Sequence, residues 1–407
     1  MKRTSSAIFI AALSGAIAGP PAFLSSQAFA DDDVFGAPEV RLSFDAGAVL
    51  SAGDRDTELL FDLEGDLTLE TFTQAGRPYG LVVGGRAQRD RGTRPFGGLA
   101  GQCPPGLGDC ASLEGPVSGL RAHGAPGETG VRAELDAAYV FYDTGWGEIR
   151  LGRGDGAARL DDVSGPTAFR LTRADGGRVA TSGLAGANTV NHAASQDAKL
   201  VFRSIALGQE ISVGTLRASV SWTPSVRHCG VDACAREYGP AGLVSPVTDN
   251  VLEVGVHYAI RRGDHVVDVS ASLSDGEDAT GHAGFEGLQT RTVGLRWENG
   301  AWSAGGRYLS SNNGVSADAG YTAWSASAGY ETGPWLLTLE YAGFNDSALH
   351  VSGESWQFGG SRLIGERWIA GLGLQSASRS EPELTVTGRR QVDRDSVNAF
   401  AELGWQF

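Results

Sequence analysis

The chain has 407 residues, 59 of them glycine, and carries 33 basic against 48 acidic side chains, a formal net charge of −15. So acidic a surface repels polyphosphate and excludes nucleic acid as a partner. Its apolar residues are scattered in alternation rather than gathered into runs, which disfavours a packed helical core and favours many strands.

The N-terminus reads Met-Lys-Arg, then an apolar run from Ala7 to Gly19, then Ala28-Phe29-Ala30 ahead of Asp31-Asp32-Asp33. A basic start, an apolar run too short to span a bilayer and an A-x-A site predict a secretory signal over residues 1–30. The mature chain then starts near Asp31, and losing Lys2 and Arg3 takes the charge from −15 to −17. Beyond the signal, no stretch of eighteen apolar residues offers a transmembrane helix.

From Glu39 onward, alternating segments of roughly ten residues recur, each bounded by Gly, Asp, Asn or Pro. The first presents Val40, Leu42, Phe44, Ala46 and Ala48 on one face. The second presents Phe61, Leu63, Leu67 and Leu69 against Asp62, Glu64, Asp66 and Glu70. Next come segments centred on Leu81 and Val83, on Ala133 to Phe141, on Ile149 and Leu151, on Leu200 and Phe202, and on Leu216 to Trp222. Then follow Leu252 to Ile260, Val267 to Leu273, Val293 to Trp297, Trp302 to Tyr308, Trp324 to Tyr330 and Trp335 to Tyr341. Trp356 with Phe358, Trp368 to Leu374, and Val397 to Phe407 bring the count to sixteen.

The connections alternate in length. Tight ones fall at 143–147, 262–264, 298–300, 331–334 and 364–366, and long ones at 90–130, 154–197, 224–248, 274–287, 310–319 and 376–393. Aromatic rings such as Trp222, Trp297, Trp302, Tyr330, Trp335, Tyr341, Trp368 and Trp405 sit at the ends of the apolar faces, where amphipathic rings meet a headgroup layer. A soluble sandwich or propeller needs a second apolar layer, yet the other parity carries mostly Asp, Glu, Arg, Ser and Gly. The expectation is an all-β protein, a transmembrane antiparallel β-barrel of 16 strands occupying residues 31–407.

Four cysteines form two close pairs, Cys103 with Cys110 and Cys229 with Cys234. An even count at short spacing in an exported chain predicts two loop disulfides. Zinc is the rival reading, with His228 beside Cys229, although neither pair has C-x-x-C spacing. No H-E-x-x-H, G-x-S-x-G or P-loop occurs, so no catalytic, metal or cofactor site is expected.

An exported acidic chain, sixteen amphipathic strands, a long insertion after Glu148-Ile-Arg-Leu-Gly-Arg-Gly-Asp-Gly-Ala157, and a last strand ending on Trp405-Gln-Phe407 resemble the general diffusion porins of Gram-negative bacteria, the alphaproteobacterial type in particular. The resemblance implies a homotrimer of water-filled barrels in the cell outer membrane, a third loop folded into each lumen, and no enzymatic activity. It also implies that the barrel-assembly machinery reads the C-terminal strand, with Phe407 and Trp405 as the assembly signal. The length of the connection 90–130, with its hairpin Cys-Pro-Pro-Gly-Leu-Gly-Asp-Cys, departs from the family pattern.

In such a channel the inward-parity arginines Arg41, Arg86, Arg132, Arg150, Arg296 and Arg307 are expected to face the loop acids Asp155, Asp161, Asp162 and Asp175 across a constriction. Opposed rows of fixed charge orient dipolar solutes. The same loop carries Arg159, Arg170, Arg173 and Arg178, which leaves the sign of the local field open. The charge of the whole chain and lumen-parity acids such as Asp62, Glu64, Asp66, Glu134, Asp136, Glu253, Asp268 and Glu340 predict a weak cation preference for a pore passing ions and small hydrophilic solutes. A sugar-specific channel is the nearest alternative and needs aromatic rings on the lumen parity. An outer-membrane hydrolase, the more distant one, needs a Ser with a His of matching parity on a neighbouring strand.

Overall fold

A computed structural model describes residues 38–53, 57–90, 98–100, 112–113, 117–118, 120–122, 131–184, 186–194, 196–208, 214–226, 243–244, 248–279, 281, 285–315, 320–385 and 388–406. The expected signal 1–30, all four cysteines and Phe407 lie outside the described residues.

Sixteen strands form one closed antiparallel barrel. They are β1 (Glu39–Gly53), β2 (Thr57–Phe72), β3 (Pro78–Arg89), β4 (Val131–Asp143), β5 (Gly147–Arg153), β6 (Ala198–Ser204), β7 (Thr215–Val226) and β8 (Thr248–Arg262). The second half holds β9 (His265–Asp278), β10 (Leu288–Asn299), β11 (Trp302–Ser311), β12 (Tyr321–Thr332), β13 (Trp335–Asp346), β14 (Val351–Ile364), β15 (Trp368–Thr385) and β16 (Gly388–Gln406). Each strand pairs with its sequence neighbours, and β16 closes on β1, with Ala46 opposite Trp405 and Val49 opposite Glu402. Closure leaves no edge with unpaired backbone groups, which a bilayer would not tolerate. Among the described residues no helix is long and apolar enough to cross a membrane.

The barrel is apolar on its outside. Leu42, Leu151, Leu372, Leu374 and Phe358 are each more than half exposed, whereas Glu253, Glu340, Glu402 and Arg307 face inward and are buried. Three neighbouring strands carry an aromatic at both ends of the outer apolar run: Trp302 and Tyr308, Trp324 and Tyr330, Trp335 and Tyr341. Six residues at strand rise separate each pair by about 20 Å along the strand. Trp302 and Tyr330 meet at 4.6 Å between ring centroids, and Tyr341 and Trp356 at 4.4 Å. On the tight-turn rim Gly76, Gly145, Gly263, Gly300, Gly333 and Gly365 all adopt positive φ, a conformation that costs glycine nothing.

Two features differ from the periodicity. The stretch 376–393, expected as a long loop, continues the β15–β16 ladder from Ser376 opposite Val397 to Thr385 opposite Gly388. Pairing above the apolar band needs no apolar face, because water satisfies the polar side chains there while the backbone ladder runs on. The second difference lies in β4. Gly84 pairs with Ala137 and Gly85 with Leu135, leaving Asp136 as the extra residue of a β-bulge. One inserted residue reverses the faces beyond it. Arg132 and Glu134 point inward, but so do Ala137, Tyr139 and Phe141, while Val140 and Tyr142 take the outside. The alternation from Ala133 to Phe141 had placed all five odd positions on one outer face.

The lumen parity is also not polar throughout. Leu309, Tyr321, Ala323, Phe344 and Val351 line the inner wall near the long-loop end and bury Val117 and Leu120 of the connection between β3 and β4. There Ser118 donates to Asp346 at 2.9 Å, and Asn313 donates to the same carboxylate at 3.2 Å.

Candidate functional site: the lumen and its inward segment

The connection between β5 and β6, residues 154–197, opens with the short helix α1 (Ala157–Leu160) and then runs around the inner wall. Lumen-facing hydroxyls and carboxylates of successive strands hold its backbone. Ala157 N donates to Ser221 Oγ at 2.9 Å on β7, and Val163 N to Ser270 Oγ at 2.9 Å on β9. Ala168 N donates to Thr338 Oγ1 at 3.1 Å and Ala174 N to Glu340 Oε2 at 3.2 Å, both on β13. On β16, Glu402 accepts from Arg170 N at 2.6 Å, from Leu171 N at 3.2 Å and from the Thr172 hydroxyl at 3.2 Å. Ser51 of β1 donates to Thr181 O at 3.1 Å.

Inward-facing glycines let the segment lie this close. A Cβ on Gly294 would collide with the Val163 carbonyl, one on Gly255 with the Ala157 carbonyl, and one on Gly359 would stand 2.6 Å from the Phe169 ring. Phe169 itself packs edge-on against Phe400 of β16 at 4.8 Å and joins Val49, Leu60, Leu171 and Val179 in an apolar anchor.

The charged groups sort into three sets. In the first, wall and segment meet. Arg307 donates to Thr189 at 2.8 Å and to Asp175 at 3.2 Å, and it pairs with Asp162. Arg173 donates to the other Asp175 oxygen at 2.8 Å. Burial works against the charge on Asp175, but Arg173 and Arg307 outweigh it and hold that carboxyl well below the usual carboxylate range. For Asp162 burial prevails over Arg307, and its carboxyl is pushed up. Asp161 is held by Arg203 of β6, at 3.1 Å and 3.2 Å to Nε.

In the second set the polarity is reversed, with segment arginines on wall acids. Arg178 donates to Asp62 at 3.1 Å and to Glu64 at 2.5 Å, and Arg170 pairs with Asp45. Arg86 shares Asp62 with Arg178, at 2.6 Å, and Arg132 reaches Gln88 at 3.4 Å.

The third set stays away from the segment's acids. Arg41 pairs with Glu39 and Glu70, Arg296 with Glu298 and Arg150 with Glu148, all toward the tight-turn rim. Asp155 pairs with Arg159 four residues on, at 3.3 Å. Of the ten expected constriction residues the structure thus joins Arg307, Asp162 and Asp175 directly. The wall carboxylates Glu340 and Glu402, which anchor the segment by accepting its N–H groups, were visible only as polar-parity positions; no spacing marks them as loop anchors. Trp405 lies at the closing seam, 5.6 Å from Phe44 and 6.2 Å from Trp368 between centroids.

The profile of the Gram-negative porins matches residues 26–381. No curated protein sequence matches the chain. Among solved structures, the OmpF porin of Salmonella typhi in complex with daunomycin superposes with a TM-score of 0.55 at 12% identity, covering 90% of this chain and 97% of that one. The trimer form of OmpT from Vibrio cholerae gives 0.53 at 10% identity, with 91% of this chain and 100% of that one covered. An anion-selective porin from Comamonas acidovorans gives 0.51 at 13% identity, again over 91% and 100%. These likenesses carry the fold, and the profile, matching most of the chain, carries the family. The closed barrel with its polar, segment-lined lumen belongs to the Gram-negative porin family and is a diffusion channel of the outer membrane.

Proposed function

We propose that this channel passes ions and small hydrophilic solutes with a weak preference for cations, and that segment 154–197 sets its narrowest point. The observation that carries the reading is the course of that segment: its backbone is hydrogen-bonded to inward side chains of β1, β7, β9, β13 and β16. A segment tied to so much of the circumference narrows the passage. Arg307, Asp162 and Asp175 are the charged cluster at its centre, with Arg86, Arg132, Asp155 and Asp161 beside it and Arg41, Arg150 and Arg296 nearer the tight-turn mouth. The cation preference follows from the chain's formal net charge of −15 and from the acids on the lumen parity, such as Asp62, Glu64, Asp66, Glu134, Glu253, Asp268 and Glu340. Because arginines of the segment offset the paired acids, the preference is small. It weakens with salt, since the Debye length falls from about 10 Å at 0.1 M to about 3 Å at 1 M. Reversal potentials under a KCl gradient test this; a chloride preference, or one that grows with salt, refutes it.

The assembly we propose is a homotrimer, supported by the trimer form of the Vibrio cholerae relative and by the extensive outer apolar face. Mass measurement of the detergent-solubilised protein decides between one and three copies. The assembly role of Phe407 with Trp405, recognition by the barrel-assembly machinery, the signal at 1–30 and the cysteine pairs complete the proposal.

A further inference from the structure

The bulge at Asp136 creates something the alternation hides: two aromatic rings in the lumen. Tyr139 and Phe141 stand two residues apart on the inner face of β4, about 7 Å along the strand. Each is only partly buried. The Phe141 ring occupies the space over Gly80, 2.9 Å from where that residue's Cβ would be, and the Tyr139 ring lies beside Gly154, 3.3 Å from its missing Cβ. One side of each ring therefore lies against bare backbone, and the Arg150 guanidinium lies over the Tyr139 ring.

Polar groups frame them. The Arg150 guanidinium sits 5.1 Å from the Tyr139 centroid and is paired with Glu148, so its position is fixed. Asp66 and Asp155 lie within electrostatic reach of Tyr139. The Asp66 carboxylate makes no hydrogen bond or ion pair among the described residues, which leaves it available to a solute.

We propose that Tyr139 and Phe141 form a stacking subsite for one sugar ring on the tight-turn side of the constriction. A pyranose has an apolar C–H face that matches an aromatic surface and a rim of hydroxyls that match carboxylate acceptors and guanidinium donors. An apolar solute would strip water from Arg150 and the acids with nothing in return, and a flexible polyol has no flat face to stack. A site built from a small apolar platform and a few fixed polar groups is the usual form of a weak, selective solute site. The proposal rests on the channel reading but goes beyond it: the pore stays a diffusion channel, and this patch lengthens the residence of ring sugars passing through.

The test uses the full barrel reconstituted in planar bilayers, with glucose and sorbitol as probes of similar size and hydroxyl content. Glucose should reduce single-channel current saturably and add current noise, beyond the bulk conductivity loss that sorbitol produces equally. Phe141→Leu and Tyr139→Leu keep an apolar side chain and lose the ring; each should raise the half-blocking glucose concentration about tenfold. A wild-type open conductance in KCl certifies that a variant has folded. Equal effects of glucose and sorbitol on the wild-type channel overturn the subsite without requiring any variant. So does a glucose block that survives both leucine variants. Absence of conductance altogether would instead refute the channel reading.

Discussion

Removing the Glu402 carboxylate should loosen the constricting segment. Glu402 is buried on the inner face of β16 and accepts two backbone N–H groups, from Arg170 and Leu171, together with the Thr172 hydroxyl. A buried N–H left without its acceptor costs about 1–3 kcal/mol, so Glu402→Ala, which leaves both donors unpaired, costs about 2–6 kcal/mol of docking. That corresponds to roughly 10- to 10⁴-fold in the local docking equilibrium. The neighbouring apolar anchor persists: Phe169 on Phe400 and Leu171 beside Gly47 each retain about 1.5–3 kcal/mol of burial. The segment should therefore loosen without leaving the wall. In single-channel recordings Glu402→Ala should show a larger mean conductance and excess open-channel noise, and Glu402→Gln, which keeps an acceptor oxygen, should fall between it and the wild type. Adding Phe169→Ala should take both effects further. If the double variant assembles normally and conducts with wild-type amplitude and noise, segment 154–197 does not set the conductance and the reasoning fails.

Acidification should erode the cation preference in a step that belongs to Asp162, whose carboxyl burial raises, while Asp175, held low by Arg173 and Arg307, keeps its charge. The sign follows from linkage: a raised carboxyl protonates early and its neutralisation relieves the folded state, whereas the stability contributed by Asp175 is lost only below the ordinary carboxylate range. Reversal potentials followed from neutral pH down to the ordinary carboxylate range should show the step in wild type and diminish it in Asp162→Asn. Gly294→Val should displace the segment at Val163, since even a Cβ meets that carbonyl; the expected cost is about 1–3 kcal/mol, read as a lower unfolding temperature together with altered conductance. Deleting Phe407 should reduce heat-resistant oligomer on gels far more than truncating one outer leucine in mid-strand, and equal oligomer levels would remove its special role. Thiol titration of the denatured, unreduced protein should find no free cysteine if Cys103 pairs with Cys110 and Cys229 with Cys234.

The number of strands, the outer face of those other than β4 and the closure of the barrel were legible in the chain, because they follow from a period of two that each segment carries alone. A residue such as Leu42 or Trp335 declares its side of the sheet through its immediate neighbours, and sixteen such segments without a second apolar layer leave a lipid-facing barrel as the solution. Which lumen charges meet depends on how the chain folds back on itself. Arg307 and Asp175 are 132 positions apart, and their contact depends on the path of a segment that has no periodicity. For the same reason Arg170 and Arg178 land on wall acids while Arg41 and Arg296 find partners on their own rim. The bulge at Asp136 was hidden as well: it arises from the pairing of β4 with β3, and no residue pattern within β4 announces that Tyr139 and Phe141 have changed sides. Local alternation fixes a face only as long as register holds, and register belongs to two strands at once.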